Sequence, residues 1–123
     1  MKHATILLSA TMAFVCATAF AQSAPVHKAD GVLVNSAGMT VYTFDKDVAD
    51  SGKSVCNGPC AANWPPVPAG DAQLTPPYSA VTRDDGSKQL AYKGKPLYLF
   101  AADKKPGERN GDNVKDIWHV VKD

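Results

Sequence analysis

The chain has 123 residues, 45% hydrophobic, 20% charged and 8% aromatic, with 13 basic and 12 acidic residues and a formal net charge of +1. A near-neutral balance with its signs interspersed excludes the basic patch that nucleic-acid binding requires. This length suits one small domain, which buries roughly two-thirds of its unfolded surface and is only modestly stable without extra constraints.

The chain opens with the short basic segment MKH and continues as ATILLSATMAFVCATAF, apolar or small throughout. Ala19 and Ala21 occupy the small-residue positions that signal peptidase needs, so residues 1–21 are expected to be a cleaved signal peptide and the mature chain to begin at Gln22. The apolar stretch is short for a retained anchor. Cys16 follows Val15, where lipid modification would need a small residue, so no lipid is expected on Cys16. Lys2 leaves with the leader, and the remaining 102 residues carry 12 basic and 12 acidic side chains. The expected location is the periplasm or the exterior, with no membrane span after cleavage.

In the mature chain, residues 22–123, strand signals begin at once. Asp30-Gly31 precedes VLV, and an Asp-Gly pair favours a hairpin because glycine accepts positive φ. NSAG then turns the chain into TVYTF. The second half repeats the order: Asp85-Gly86, then QLAY, then the KG turn, then PLYLF. GMTVYTFDKD (38–47) and GKPLYLFAAD (94–103) share G-x-x-[VL]-Y-x-F-x-x-D at an offset of 56, and Trp64 corresponds to Trp118 at 54. The chain therefore divides into repeat 1 at about 26–68, a Pro-containing linker at 69–80 and repeat 2 at about 81–121.

No mature segment sustains a 3.6-residue apolar period long enough for a helix, so the expected fold is all-β: one small domain in which two pseudo-symmetric hairpin or meander repeats share a core. Residues i and i+2 of a strand share a face, which places Tyr42 beside Phe44 and Tyr98 beside Phe100. Val41 with Thr43, and Leu97 with Leu99, take the opposite faces. These strands are expected to be central, near an approximate twofold axis, with Phe44 and Phe100 buried. Asp47 and Asp103 fall just beyond the strand ends, where a carboxylate can accept backbone N–H bonds and fix the exit turn. The alternative makes the two Tyr/Asp sets a symmetric ligand or metal site.

The doubled motif, with CNGPCAANWPPV between its copies and a closing Trp118, resembles a family of secreted, often lipid-anchored bacterial proteins defined by a repeated Y-x-[FWY]-x-x-D motif. The resemblance covers nearly the whole mature chain. It implies a secreted repeat of unestablished activity, and the chain departs from the lipoprotein members by lacking a usable lipobox.

Cys56 and Cys60 are the two cysteines of the mature chain, and three readings compete for them. A structural disulfide suits an exported chain, and its short loop contributes about 2 kcal/mol by chain entropy. A copper or zinc site would join both thiolates to His119 or His27. A thiol–disulfide exchange centre lacks the C-x-x-C spacing. The acidic loops DKDVADSG and NGDNVKD do not match an EF-hand. Trp64 and Trp118 are read as core anchors rather than a binding surface. Arg83 and Arg109 show no clustering.

No nucleophile elbow, zincin helix or phosphate loop occurs, so no catalytic residue and no cofactor is assigned and the chain is not expected to be an enzyme. The functional expectation is an exported binding or structural module, with a protein partner at the cell envelope as the open possibility. The alternative is a metal-binding or electron-transfer accessory using Cys56, Cys60 and His119. Intact mass of the exported protein should correspond to a chain starting at Gln22; a diacylglyceryl adduct on Cys16 or retention of residues 1–21 would contradict the processing.

Overall fold

A computed structural model describes residues 25–70 and 73–122, so the expected signal peptide and Cys16 lie outside the described residues. The fold is all-β, as the turn and strand signals require. Strands β1 (Val26–Ala29) and β2 (Val32–Asn35) form a hairpin, and β3 (Tyr42–Phe44) carries the first motif. A five-residue helix α1 (Pro59–Asn63) follows, then β4 (Tyr78–Thr82), β5 (Lys88–Tyr92), β6 (Lys95–Pro96) and β7 (Trp118–Val120). β4 starts inside the stretch read as linker. All the strand pairs are antiparallel: β1 with β2, β3 with β7, and β4–β5–β6 in that order.

The hairpins follow their turn residues. Asp30 and Gly31 both take positive φ (50° and 82°), as do Lys93 and Gly94 (52° and 81°), the geometry whose twist matches two-residue hairpins. α1 was not legible because five residues cannot show a helical period. Pro59 begins it, where the missing N–H costs nothing, and Trp64 ends it by donating its backbone N–H to the Cys60 carbonyl.

The two motif segments meet at the centre, the first on β3 and the second just beyond β6, where Tyr98 makes isolated bridges to Tyr42 and Pro66 rather than the full strand expected. The Tyr42 N–H donates to the Tyr98 carbonyl (2.8 Å) and the Tyr98 N–H to the Tyr42 carbonyl (2.9 Å), so equivalent residues pair with each other across a local twofold axis. The surrounding bonds obey the same symmetry. Val41 N–H donates to Leu33 carbonyl (3.0 Å) as Leu97 N–H does to Leu90 (2.9 Å), and Asp45 N–H donates to Ile117 carbonyl as Ala101 N–H does to Asn63, each at 2.8 Å.

Each repeat gives its last segment to the other. β7, from repeat 2, pairs with β3 of repeat 1 in the register Tyr42↔Val120, Thr43↔His119, Phe44↔Trp118. Residues 64–69, from repeat 1, run along repeat 2: Leu99 N–H donates to Pro65, Val67 N–H to Leu97 and Leu90 N–H to Val67. Neither repeat closes its own sheet.

The alternation of the central strands creates two cores. Val41 and Leu97 point to one side, with Val26, Leu33, Val67, Leu90 and Val121. Tyr42 and Tyr98 point to the other, with Trp64, Trp118, Val32, Val34 and Cys56. In this second core Phe44, Trp118, Trp64 and Phe100 form a continuous stack, with successive centroids 4.1, 3.8 and 4.1 Å apart. The tyrosines meet the indoles edge-on, Tyr42 on Trp64 at 5.5 Å and Tyr98 on Trp118 at 5.2 Å.

Burial corrects one expectation. Tyr42 and Tyr98 are fully buried, whereas Phe44 and Phe100 are only half-buried because they cap the ends of the stack. Gly111 shows how tightly that core is closed: a Cβ there would lie 2.8 Å from the Trp64 ring and 2.9 Å from Tyr42. Trp64→Ala or Trp118→Ala should cost about 3–5 kcal/mol in urea unfolding. Phe44→Ala or Phe100→Ala should cost less, about 2 kcal/mol, since each ring is only partly buried. A larger loss at the phenylalanines than at the tryptophans would contradict this packing.

Candidate functional site: the reciprocal tyrosine–aspartate pairs

A tyrosine buried in a strand must find a partner for its hydroxyl, and a carboxylate at a buried turn must be paired or hydrogen-bonded. The fold meets both needs across the twofold axis. Tyr42 of repeat 1 donates its O–H to Asp103 Oδ2 of repeat 2 (2.6 Å), and Tyr98 of repeat 2 donates to Asp47 Oδ2 of repeat 1 (2.5 Å). The remaining carboxylate oxygens accept backbone N–H groups, Asp47 Oδ1 from Val55 (2.7 Å) and Asp103 Oδ1 from Asn110 (3.0 Å). Each aspartate N–H also closes a turn onto the phenylalanine carbonyl three residues back, at 3.0 Å in both repeats. The reading of these aspartates as turn-fixing acceptors describes half of their bonding; the cross-repeat half needs the tertiary structure.

The two pairs differ in what supports the tyrosine. The Tyr42 hydroxyl accepts the Gly111 N–H at 3.2 Å. The Tyr98 hydroxyl bonds to Ser54 Oγ, and Ser54 in turn accepts from Arg83 Nη1 at 3.0 Å. Arg83 is buried and also donates to Gln89 Oε1 (2.7 Å), the Cys56 carbonyl (2.6 Å) and Asn57 Oδ1 (3.2 Å). Sequence reasoning missed this residue. A lone Arg just after β4 and followed by two aspartates carries no sign of burial, and its partners lie 26 to 29 residues upstream as well as on β5.

Arg83 thereby holds the Cys56–Cys60 loop, which is closed by a disulfide with 5.2 Å between Cα atoms. Cys56 is fully buried and Cys60 half-buried. The disulfide pairing expected of an exported chain is present. His119 lies on β7 with Nε2 at 2.7 Å from Asp45 Oδ2 and Nδ1 at 3.2 Å from Asn113 Oδ1. His27 faces solvent on β1. Among the described residues no group of three or more His, Cys, Asp or Glu side chains could hold a metal ion.

Asp47, Arg83 and Asp103 are the buried charged side chains of the described residues, and all three belong to these pairs or their support. Burial pushes the Tyr42 and Tyr98 phenols well above their ordinary range, and the bonded carboxylates add to the shift. Burial also raises the Asp47 carboxyl, against the lowering effects of Tyr98, the Val55 N–H and Arg83.

A family model described as a secreted repeat of unknown function matches the chain twice, over residues 24–68 and 79–122. The chain belongs to this family. Each matched segment contains one Tyr, Phe and Asp of the doubled motif, and every clasp joins one segment to the other. No curated protein and no solved structure matches the chain. Among the described residues no helix is long and apolar enough to cross a membrane.

The tyrosine shifts set a pH dependence. An unfolded tyrosine ionises near 10, whereas Tyr42 and Tyr98 resist ionisation when folded, so the stability they contribute is full below about pH 10 and falls as pH rises toward their folded values. In an alkaline absorbance titration, these two of the four tyrosines should ionise only with the unfolding transition. Titration of all four in a protein that keeps its β signature would contradict the clasp.

Proposed function

We propose that this secreted-repeat protein is a non-enzymatic binding or structural module of the cell envelope, soluble in the periplasm or released from the cell. The observation that carries this reading is the saturation of the motif carboxylates. Both oxygens of Asp47 and both of Asp103 are engaged by groups of the same chain. A general base or nucleophile needs an oxygen that can reach a substrate. The motif residues act instead as a clasp that joins the repeats, and recognition falls to the loops and shallow grooves around it. The partner class that fits an exported module is another protein of the envelope.

The reading of the chain as a metal-binding or electron-transfer accessory built on Cys56, Cys60 and His119 gains no support from the geometry. The two sulfurs are bonded to each other, and both imidazole nitrogens of His119 already face oxygen partners.

Asp47→Ala and Asp103→Ala should each lower stability by about 1–2 kcal/mol, the consequence of leaving a buried tyrosine hydroxyl and a backbone N–H without their acceptor. Protein purified from the exporting cell should contain no free thiol and no stoichiometric copper or zinc. An aspartate variant with unchanged stability that loses a co-purifying ligand would overturn the module reading. So would a stoichiometric metal lost on combined Cys56→Ser and Cys60→Ser replacement.

A further inference from the structure

The aromatic core brings two indoles into close face-to-face contact. Aromatic pairs prefer offset or edge-to-face arrangements with centroids about 4.5–7 Å apart, because a face-to-face sandwich sets like regions of the ring quadrupoles against each other. Trp64 and Trp118 lie with centroids 3.8 Å apart and planes within 2° of parallel. At that separation the two rings are in van der Waals contact, and their π systems overlap over part of their area. An indole pair so arranged shares a positive hole more readily than a single indole.

Each indole also touches a tyrosine whose proton has a place to go. Tyr98 meets Trp118 at 5.2 Å and Tyr42 meets Trp64 at 5.5 Å, which completes the chain Tyr98–Trp118–Trp64–Tyr42. A phenol deep in a protein is hard to oxidise unless its proton leaves with the electron, since a phenol radical cation is a very strong acid. Both phenols hydrogen-bond to a carboxylate oxygen, Tyr42 to Asp103 and Tyr98 to Asp47. By contrast Tyr78 and Tyr92, which face each other at 5.2 Å on β4 and β5, stand outside the stack.

The core is reachable from outside. A groove of about 250 Å³ opens along Phe44, Cys60, Trp64, Ile117 and Trp118, and a second of about 180 Å³ is lined by Phe100 and Asp103.

We propose that the Tyr–Trp–Trp–Tyr core is a one-electron relay, in which Tyr42 and Tyr98 are the radical sites and Asp103 and Asp47 their proton acceptors. A one-electron oxidant, such as an oxidised metal complex or an organic radical at the groove, takes an electron from the indole pair and is reduced by one electron. The hole passes to a tyrosine. Its O–H bond breaks, the proton moves to the aspartate Oδ2, and a neutral tyrosyl radical remains. A one-electron donor such as a hydroquinone restores the phenol by supplying the electron while the aspartate returns the proton. This role goes beyond the module reading and needs neither the cysteines nor a bound metal.

The test uses the mature protein, with a photo-oxidised ruthenium polypyridyl complex as oxidant and electron paramagnetic resonance of rapidly frozen samples as readout. The wild type should yield a neutral tyrosyl radical that persists in the Tyr78→Phe/Tyr92→Phe variant and disappears in Tyr42→Phe/Tyr98→Phe. Asp47→Asn and Asp103→Asn should each slow radical formation at the partner tyrosine about tenfold, the effect of about 1.4 kcal/mol on a barrier. Circular dichroism checks that the phenylalanine variants fold. Independently of any variant, radical formation in the wild type should slow in deuterium oxide, because the transferred proton is exchangeable. A radical that follows Tyr78 or Tyr92, or a wild-type rate unchanged in deuterium oxide, would overturn the proposal.

Discussion

The structure depends on a carboxylate that each repeat supplies to the other. Burying an unpaired charge or an unpartnered hydroxyl costs several kcal/mol, comparable with the whole stability of a domain this small. Tyr42 and Asp103 remove that cost for one another, as do Tyr98 and Asp47, and both solutions exist only when the two repeats are assembled about their axis. The Y-x-F-x-x-D spacing follows from this need. The i and i+2 positions direct Tyr and Phe into the same core, and three more residues carry the chain around a turn, so that Asp faces the neighbouring strand rather than its own.

Symmetry ends where the loops begin. The segment after the first motif contains the disulfide and α1, and Arg83 ties it to Gln89 and, through Ser54, to Tyr98. The segment after the second motif contains neither and relies on the close approach of Gly111 to Tyr42 and Trp64. Two different supports for equivalent tyrosines show that the clasp is the shared requirement and the loops are local ways of meeting it. The disulfide belongs to that second category: its loop is too short to stabilise the chain greatly by entropy, but it fixes the Cys56 carbonyl where Arg83 needs an acceptor.

Local features of the sequence carried much of the fold. Asp30-Gly31 and Lys93-Gly94 specify hairpins because their dihedral requirements are met within two residues. Val41, Tyr42, Leu97 and Tyr98 specify central, extended segments because both faces are apolar. The doubled motif exposed the repeat. What stayed illegible depends on the path of the chain through space. The exchange of residues 64–69 and β7 leaves no local trace, since a strand has the same alternation whichever repeat it joins. The incomplete burial of Phe44 and Phe100 was illegible for a similar reason: the spacing places Tyr and Phe on one face, but only the assembled fold sets Tyr42 and Tyr98 at the axis and Phe44 and Phe100 at the ends of a stack. The burial of Arg83 likewise rests on acceptors brought to it by a distant loop.

The exchange has a consequence for how such a chain must fold. A separate repeat 1 would keep β1, β2 and β3 but lack β7, leaving the Thr43 edge of β3 unpaired, Trp64 without its stacking partner and Asp47 without its phenol. A separate repeat 2 would lack the segment 64–69 that lies along Leu90, Leu97 and Leu99. Two- and three-stranded pieces are marginal in water even when their side chains are satisfied, and these would not be. The free energy of each half is thus released only on meeting the other, which makes the assembled pair, rather than either copy of the motif, the smallest unit that can be stable.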